Sequence, residues 1–190
     1  IDSMIKKHIF DSLPHYLKKS DEWTTYMKVE RVFRNNDSLL QIDKLVEQKR
    51  VDAAQGTAGD ERVKNYLKEH HIDAVKTASD VYLQVVRQGA GAQVDTGKKV
   101  GIKYAFTNLT SGKLFDTNMD SGYHHPDTLN FKVGGPFMIK SVDQCMHTLR
   151  EGAHAKIFIP TMLAFGGYPP RGNIHAYDDL MFEVWVLRVQ

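Results

Sequence analysis

Alternating apolar and polar residues predict several short β-strands in the second half of the chain. In Val100–Phe106 every second side chain is apolar, as in a strand with one buried face. Val81–Arg87 alternates in the same way and is followed by a turn that contains glycine, and Leu180–Val189 is strongly apolar. We therefore expect a sheet of short strands joined by glycine-containing turns.

One segment among these strands has helical spacing instead. Apolar residues recur every three or four positions from Ile139 to Leu149, and Gly152 is placed to end a helix there. The pattern predicts one short helix beside the sheet.

Helical spacing also dominates residues 37–71. Asp37–Ser38 is suited to cap a helix that reaches about Val51. Gln55–Gly59 contains two glycines and is expected to break or loosen that helix. Asp60 then caps a second helix, which ends near His70–His71. The apolar stripe of this second helix is Val63, Tyr66 and Leu67.

Residues 1–33 fit more than one structure. Ile1–Phe10 has roughly helical spacing. Trp23–Phe33 alternates and is rich in aromatic and β-branched residues, which favours a strand, although helical spacing also fits. The whole chain is therefore expected to be of the α+β class: a mostly helical N-terminal region, residues 1–76, precedes a domain, residues 77–190, whose antiparallel sheet wraps one helix.

Composition and charge narrow the functional classes. Hydrophobic residues make up 42% and charged residues 25% of the 190 residues, as in ordinary globular proteins. The net charge of +2 is small and lysines and arginines alternate with acids, so no nucleic-acid partner is expected. Cys145 is the only cysteine, and we expect it to be a buried apolar residue rather than a nucleophile. The histidine pairs lack ligands at zinc-like spacing, so no metal is expected.

The order of motifs in the second half resembles the FKBP-type peptidyl-prolyl isomerases. The strand at Val100–Phe106 is followed by a turn at Thr110–Lys113, the pair Phe115–Asp116 and the glycines Gly134–Gly135. The resemblance covers roughly Val81–Gln190. It implies an antiparallel sheet wrapped around one short helix, with an apolar bowl between them that binds an Xaa-Pro segment.

The resemblance also implies which residues form this bowl. Those matching the family's catalytic positions are Tyr104, Phe115, Asp116, Ile139, Phe165 and Phe182. Those matching its other substrate-binding positions are Leu129, Met138, Val142 and Ile174. Without the family pattern, aromatic residues on alternating strands are more often plain core than site residues, and the family pattern is what favours a binding role.

Two departures from the family pattern are serious. Val142 stands where the family usually has a tryptophan that forms the floor under the proline ring. Phe165 stands where a tyrosine is usual, so the wall is kept and a ligand-binding hydroxyl is lost. Leu129 also falls where an aromatic residue is usual. We therefore expect a deeper bowl that is less complementary to proline and binds rapamycin-like macrolides weakly.

The resemblance implies a rotamase that acts on Xaa-Pro bonds of unfolded or extended polypeptides and assists protein folding without a cofactor. A binding or chaperone module that keeps the fold and has lost most catalysis is the alternative, because of Val142 and Phe165.

Family members with helical N-terminal extensions are often bacterial envelope proteins, and some dimerise through those helices. The resemblance thus implies a periplasmic or outer-envelope location, a homodimer through the N-terminal helices, and a membrane tether outside residues 1–190. No signal peptide is visible and the chain begins at Ile1, which fits a processed product. Residues 21–32 weakly echo residues 178–189, so residues 1–33 are either the tail of a preceding domain of the same kind or an unrelated element.

Overall fold

A computed structural model describes residues 36–123, 125–136, 139–170 and 174–190, with side chains from residue 40 onward. The segments Ile1–Phe10 and Trp23–Phe33, and the proposed echo at residues 21–32, lie outside the described residues. Residues 44–190 form one compact unit, and the account below concerns that unit.

Seven strands and two helices make up the described fold. The strands are β1 (Val75–Lys76), β2 (Tyr82–Arg87), β3 (Lys99–Asn108), β4 (Leu114–Thr117), β5 (Leu129–Lys132), β6 (His154–Ile159) and β7 (Leu180–Val189). The helices are α1 (Asn36–Glu69) and α2 (Lys140–Met146), and short 3₁₀ turns occur at Ser121–Tyr123 and Thr161–Leu163. The predicted α+β class and the bounds of the last strand are confirmed.

All strand pairs are antiparallel, in the order β1-β2-β6-β7-β3-β4. The two long strands β3 and β7 pair from Val100 opposite Val189 to Asn108 opposite Leu180. The other edge of β3 is shared, because β5 pairs with its first half and β4 with its second half. This arrangement places the end of β4 and the start of β5 on either side of Tyr104 along β3.

Alternation along β6 separates two hydrophobic clusters on opposite faces of the sheet. Ile157 and Ile159 point into the main core, which α2 covers with Val142 and Met146. Phe158 points the other way and belongs to a second cluster under α1. The sheet thus wraps α2 on one face and supports α1 on the other.

Helix α2 is shorter than the spacing predicts, because it ends at Met146 rather than near Leu149. The Thr148 hydroxyl donates to the Cys145 carbonyl at 2.8 Å, and the Leu149 amide donates to the Met146 carbonyl at 3.0 Å, so the last turn tightens. Leu149 is nevertheless fully buried. Gly152, with φ of 85°, lies in the turn before β6 and does not end the helix.

Helix α1 runs unbroken through Gln55–Gly59, so the predicted break is wrong. Gly59 lies where α1 approaches the Thr161–Leu163 turn, and a Cβ there would stand 3.0 Å from Thr161 Cγ2. A Cβ on Gly56 would stand 3.5 Å from Met162 Cγ. Close packing against the domain therefore accounts for a glycine inside the helix, and the packing outweighs the low helix propensity. The end of α1 near His70–His71 is as predicted.

The second half of α1 is fixed to the sheet by apolar and polar contacts. Val63 and Leu67 are buried in the second cluster, which confirms the predicted stripe. The Tyr82 hydroxyl donates to Asp60 Oδ1 at 2.8 Å, and Lys76 Nζ lies 3.0 Å from the same oxygen. Although burial acts to raise it, hydrogen bonds from Lys64, Tyr82 and Lys76 lower the pKa of Asp60 to about 2. Within the described chain, no helix combines the length and apolar character needed to cross a membrane.

Candidate functional site

A cavity of about 170 Å³ opens between the sheet and α2. Strands β3 and β7 and the turn after β6 supply its aromatic walls, and α2 with the residue before it supplies its base. The lining residues are Tyr104, Phe106, Asp116, Leu129, Ile139, Val142, Phe165 and Phe182.

Four aromatic rings define the shape of the cavity. Tyr104 stacks on Phe182 with 5.5 Å between ring centroids and 19° between ring planes. Phe106 meets Phe182 edge to face at 5.9 Å and Phe165 edge to face at 6.2 Å. Such pairs fix one another's orientation, so the walls are rigid and apolar.

Asp116 is the charged group among the residues that line the cavity. Its Oδ2 accepts a hydrogen bond from the Tyr104 hydroxyl at 2.7 Å, and its Oδ1 lies 2.9 Å from His125 Nε2. Burial, and then the hydrogen bond to Asp116, raise the pKa of Tyr104 well above its ordinary value. Tyr104 therefore stays a neutral donor, and Asp116 is fixed at the rim by both neighbours.

The backbone of Tyr104 is held by the residues that follow β4. Thr117 Oγ1 donates to the Tyr104 carbonyl at 2.6 Å, and Asn118 Oδ1 accepts from the Tyr104 amide at 2.8 Å. The Asn118 amide group also donates to the carbonyls of Ile102 and Asp127, each at 2.9 Å. Asn118 is 2% exposed, so this network is internal and rigid. This network was not predicted from the sequence, because the alternation of apolar and polar residues reports nothing about a polar residue after a strand.

The floor of the cavity is formed by aliphatic side chains. Val142, 1% exposed, lies in the first turn of α2, and Ile139 precedes the helix. The Ser141 hydroxyl donates to the Leu163 carbonyl at 3.0 Å and so joins α2 to the turn that leads to Phe165. A valine here presents no flat ring face to a ligand.

Most of the predicted site residues meet at this cavity. Those that line it are Tyr104, Asp116, Leu129, Ile139, Val142, Phe165 and Phe182. Phe115 instead packs edge-on against Phe106 with 6.2 Å between centroids, and Ile174 packs against the main core; neither lines the cavity. Met138 lies outside the described residues. Phe106 lines the cavity and was not predicted to do so, although it shares the buried face of its strand with Tyr104.

The other reactive side chains lie away from the cavity. Cys145 is buried as expected, and burial raises the pKa of its thiol to about 11. In the part of the chain that the structure describes, no three His, Cys, Asp or Glu side chains group to hold a metal ion.

The antiparallel sheet wraps around one helix, and an apolar cavity with aromatic walls lies between them. Such a cavity is suited to bind a small apolar group. The family model described as "FKBP-type peptidyl-prolyl cis-trans isomerase" matches residues 91–187. Because this match covers more than half of the chain, the chain belongs to the FKBP-type peptidyl-prolyl cis-trans isomerase family. The resemblance to this family is confirmed.

Curated relatives include fungal and bacterial proteins. The chain is 30% identical over 117 residues to FK506-binding protein 4 of Rhizopus delemar, covering 60% of this chain and 28% of that protein. It is 29% identical over 107 residues to the FK506-binding protein of Neisseria meningitidis serogroup B, covering 56% of this chain and 94% of that protein. The chain thus spans nearly all of the bacterial relative and less than a third of the fungal one.

Two solved structures share the fold. FkpA from Escherichia coli has a TM-score of 0.60 at 23% identity, over 86% of this chain and 75% of that chain. A peptidyl-prolyl cis-trans isomerase from Pseudomonas syringae pv. tomato has a TM-score of 0.57 at 18% identity, over 71% of this chain and 96% of that chain. At these identities the likeness supports the fold alone.

Proposed function

We propose that this chain catalyses cis–trans isomerisation of Xaa-Pro bonds in unfolded or extended polypeptides. The supporting observation is the cavity of about 170 Å³, which has aromatic walls, an aliphatic floor and one carboxylate at its rim. An apolar ring such as that of proline suits these walls, while the flanking peptide stays at the open side.

The energetics of the reaction suit such a cavity. Rotation about an amide bond costs about 18–20 kcal/mol, because resonance stiffens the C–N bond. For Xaa-Pro the cis and trans forms differ by only about 0.5–1 kcal/mol, so the barrier is the main obstacle. An apolar site weakens the resonance by removing the carbonyl from water, and it accelerates rotation when it binds the twisted form better than either planar form.

We assign the following roles within this proposal. Phe182, Phe165 and Tyr104 bind the faces of the proline ring, and Val142 supports it from below. Ile139 offers its backbone to the peptide, as the family resemblance implies. Asp116, fixed by Tyr104 and His125, faces polar groups of the bound chain at the rim. Phe106 joins the wall residues, and Phe115 supports Phe106 from behind.

A weakly catalytic binding or chaperone module remains the second candidate. The favouring observation is Val142, which is 1% exposed and leaves the floor without a ring face. Loss of ring contact lowers complementarity to the twisted proline more than it lowers general apolar binding. Such a module would bind proline-containing chains and isomerise them slowly.

Exchange NMR on Xaa-Leu-Pro-Phe peptides separates the two candidates, because it needs no coupling protease. The isomerase proposal expects clear broadening or exchange cross-peaks at substoichiometric protein, abolished in Phe182→Ala. Peptide binding without faster exchange would support the binding module instead. Leu187→Ala, an exposed residue on the same strand, is the matched control.

We also propose that the protein works in the bacterial envelope and forms a homodimer through its N-terminal helix. The proposal is supported by the helical extension before the FKBP-like domain and by apolar residues left on its surface, since Leu45 and Val46 are 60% and 62% exposed. Fractionation of cells that express the complete natural protein tests the location. Recovery in the periplasmic or membrane fraction supports it, and the membrane fraction alone supports a tether.

A further inference from the structure

Helix α1 contacts both loops at the edge of the cavity, although none of its residues lines the cavity. The first loop, residues 161–167, contains the wall residue Phe165. The second, residues 174–179, returns the chain to β7 and contains Tyr177 and Asp179. These contacts join α1 to the candidate site.

An ion pair between a partly exposed arginine and a buried aspartate makes the first connection. The Asp179 side chain is 1% exposed, and its Oδ2 lies 2.5 Å from Arg62 Nε, with Arg62 Nη2 3.3 Å from Oδ1. Asp179 Oδ1 also accepts from the Thr161 amide at 2.8 Å. The Thr161 carbonyl in turn accepts from the Gly166 amide at 2.9 Å, which closes the turn around Phe165. One carboxylate thus joins α1 to the loop of the aromatic wall.

Tyr177 makes the second connection. Its φ of 64° is left-handed, a conformation that a non-glycine residue rarely adopts without support. Its amide donates to the Gly166 carbonyl at 2.8 Å, which links the two loops. Its hydroxyl accepts from Gln48 Nε2 at 2.8 Å and donates to Asp52 Oδ1 at 3.0 Å. Arg62 Nη2 reaches the Tyr177 carbonyl at 3.5 Å.

We propose that Gln48, Asp52 and Arg62 of α1 are positioning residues of the site, which hold the two loops so that Phe165 faces the proline ring; this rests on the isomerase function proposed above. Complementarity to a twisted bond requires walls that stay in place, and surface loops without such support move. Helix α1 therefore forms the outer support of the aromatic wall and tunes turnover without touching substrate.

The test uses the full chain with Arg62→Met, Arg62→Lys and Tyr177→Phe. Lys64→Met is the matched control, because it removes one positive charge from the same helix turn, and its ion pairs are with Asp60 and Glu61 of that helix. Two quantities are measured where urea titration shows every variant fully folded: kcat/KM by exchange NMR, and amide hydrogen exchange at Thr161, Gly166 and Tyr177.

The expected result is a fall in kcat/KM of about tenfold for Arg62→Met, with faster exchange at the three amides. Tyr177→Phe gives a smaller fall. The fall in kcat/KM is smaller for Arg62→Lys than for Arg62→Met, because lysine keeps the positive charge but lacks the guanidinium group that bonds both carboxylate oxygens. Lys64→Met has the kcat/KM of the wild type. The exchange rates of the β7 amides are unchanged in every variant.

Unchanged kcat/KM in folded Arg62→Met and Tyr177→Phe would overturn the proposal, whether or not the amides exchange faster. If the wild-type chain does not isomerise peptides, peptide affinity replaces kcat/KM. Faster loop exchange together with weaker peptide binding in Arg62→Met then supports the positioning role, and only the isomerase function fails.

Discussion

At the scale of single residues, the predicted site departs from the family pattern most clearly at Phe165 and Val142. Phe165 keeps an aromatic wall that meets Phe106 edge to face, and Val142 closes the floor without a ring. The first change removes one hydroxyl and leaves the shape of the wall intact. The second alters the shape itself, so the two changes affect turnover in different ways.

Phe165→Tyr is expected to raise kcat/KM for a Leu-Pro peptide about two- to tenfold. A ligand hydrogen bond in an apolar site contributes about 0.5–1.5 kcal/mol, and each 1.4 kcal/mol is tenfold. Exchange NMR measures the change. Phe115→Tyr, on a ring that does not line the cavity, is the control. Equal kcat/KM in wild type and Phe165→Tyr would show that the hydroxyl does not reach the peptide here.

Tyr104→Phe is expected to reduce the loss of stability at alkaline pH. Because the folded-state pKa of Tyr104 is raised above its ordinary value of 10.0, its stabilising contribution is present below pH 10 and is lost as the pH rises beyond it. Urea midpoints from pH 8 to 11 should therefore fall less in Tyr104→Phe than in wild type. At pH 8 the variant should be about 1 kcal/mol less stable, since the bond to Asp116 is gone. Tyr168→Phe, which alters a phenol 75% exposed, should follow the wild-type curve.

At the scale of elements, α1 shows how packing decides a helix that its own sequence would interrupt. Gly59 is buried where the helix meets Thr161 and Asp179. Gly56, one turn earlier, faces only the side chain of Met162. Both glycines have the same low helix propensity. Because their surroundings differ, comparing them separates the effect of helix propensity on stability from the effect of packing.

Gly56→Ala and Gly59→Ala form a matched pair for this question. A Cβ at position 56 makes an ordinary 3.5 Å contact with Met162, so Gly56→Ala should stabilise the chain by up to about 1 kcal/mol through helix propensity. At position 59 the new Cβ would stand 3.0 Å from both Thr161 Cγ2 and Asp179 Oδ1, so crowding of about 1–3 kcal/mol should cancel or exceed that gain. Urea unfolding of both variants measures the difference. Equal stabilisation by both alanines would mean that α1 does not pack closely here.

At the scale of the whole molecule, α1 has two different surfaces along its length. Its second half is buried on the sheet through Val63 and Leu67, whereas Leu45 and Val46 stay exposed. Two consecutive exposed apolar residues, a leucine and a valine, favour association with another copy of the helix, as the proposed homodimer requires.

Leu45→Glu in the full chain is expected to convert the dimer to a monomer, because a carboxylate would have to be buried in the helix contact. Sedimentation equilibrium measures the mass. Ala54→Glu is the control, since it makes the same change of charge at an exposed position roughly half a turn round the helix. A wild-type chain that sediments as 21.6 kDa at all concentrations would end the dimer proposal.

Much of the sheet and most of the cavity could be predicted from the sequence. The period of two in Val100–Phe106 marks the buried face that contains Tyr104, and Leu180–Val189 has the bounds of β7. These signals are local, because alternation reports which face of a strand is buried. The motif resemblance then identified Asp116, Ile139, Val142, Phe165 and Phe182. Phe115 was expected to line the cavity, but Phe106 lines it instead. The sequence alone does not show which of these two neighbouring rings faces the cavity.

The sequence by itself determined the fold class, the strand pattern and the residue types of the aromatic wall, because these depend on periodicity and on a recognisable order of motifs. Only the tertiary structure decided that α1 is one helix, that Asn118 holds Tyr104, and that Arg62 and Asp179 join the helix to the loop of Phe165. Each of these depends on contacts between residues far apart in the chain. Packing and hydrogen bonding across the fold can outweigh local propensity, and no local pattern reports them.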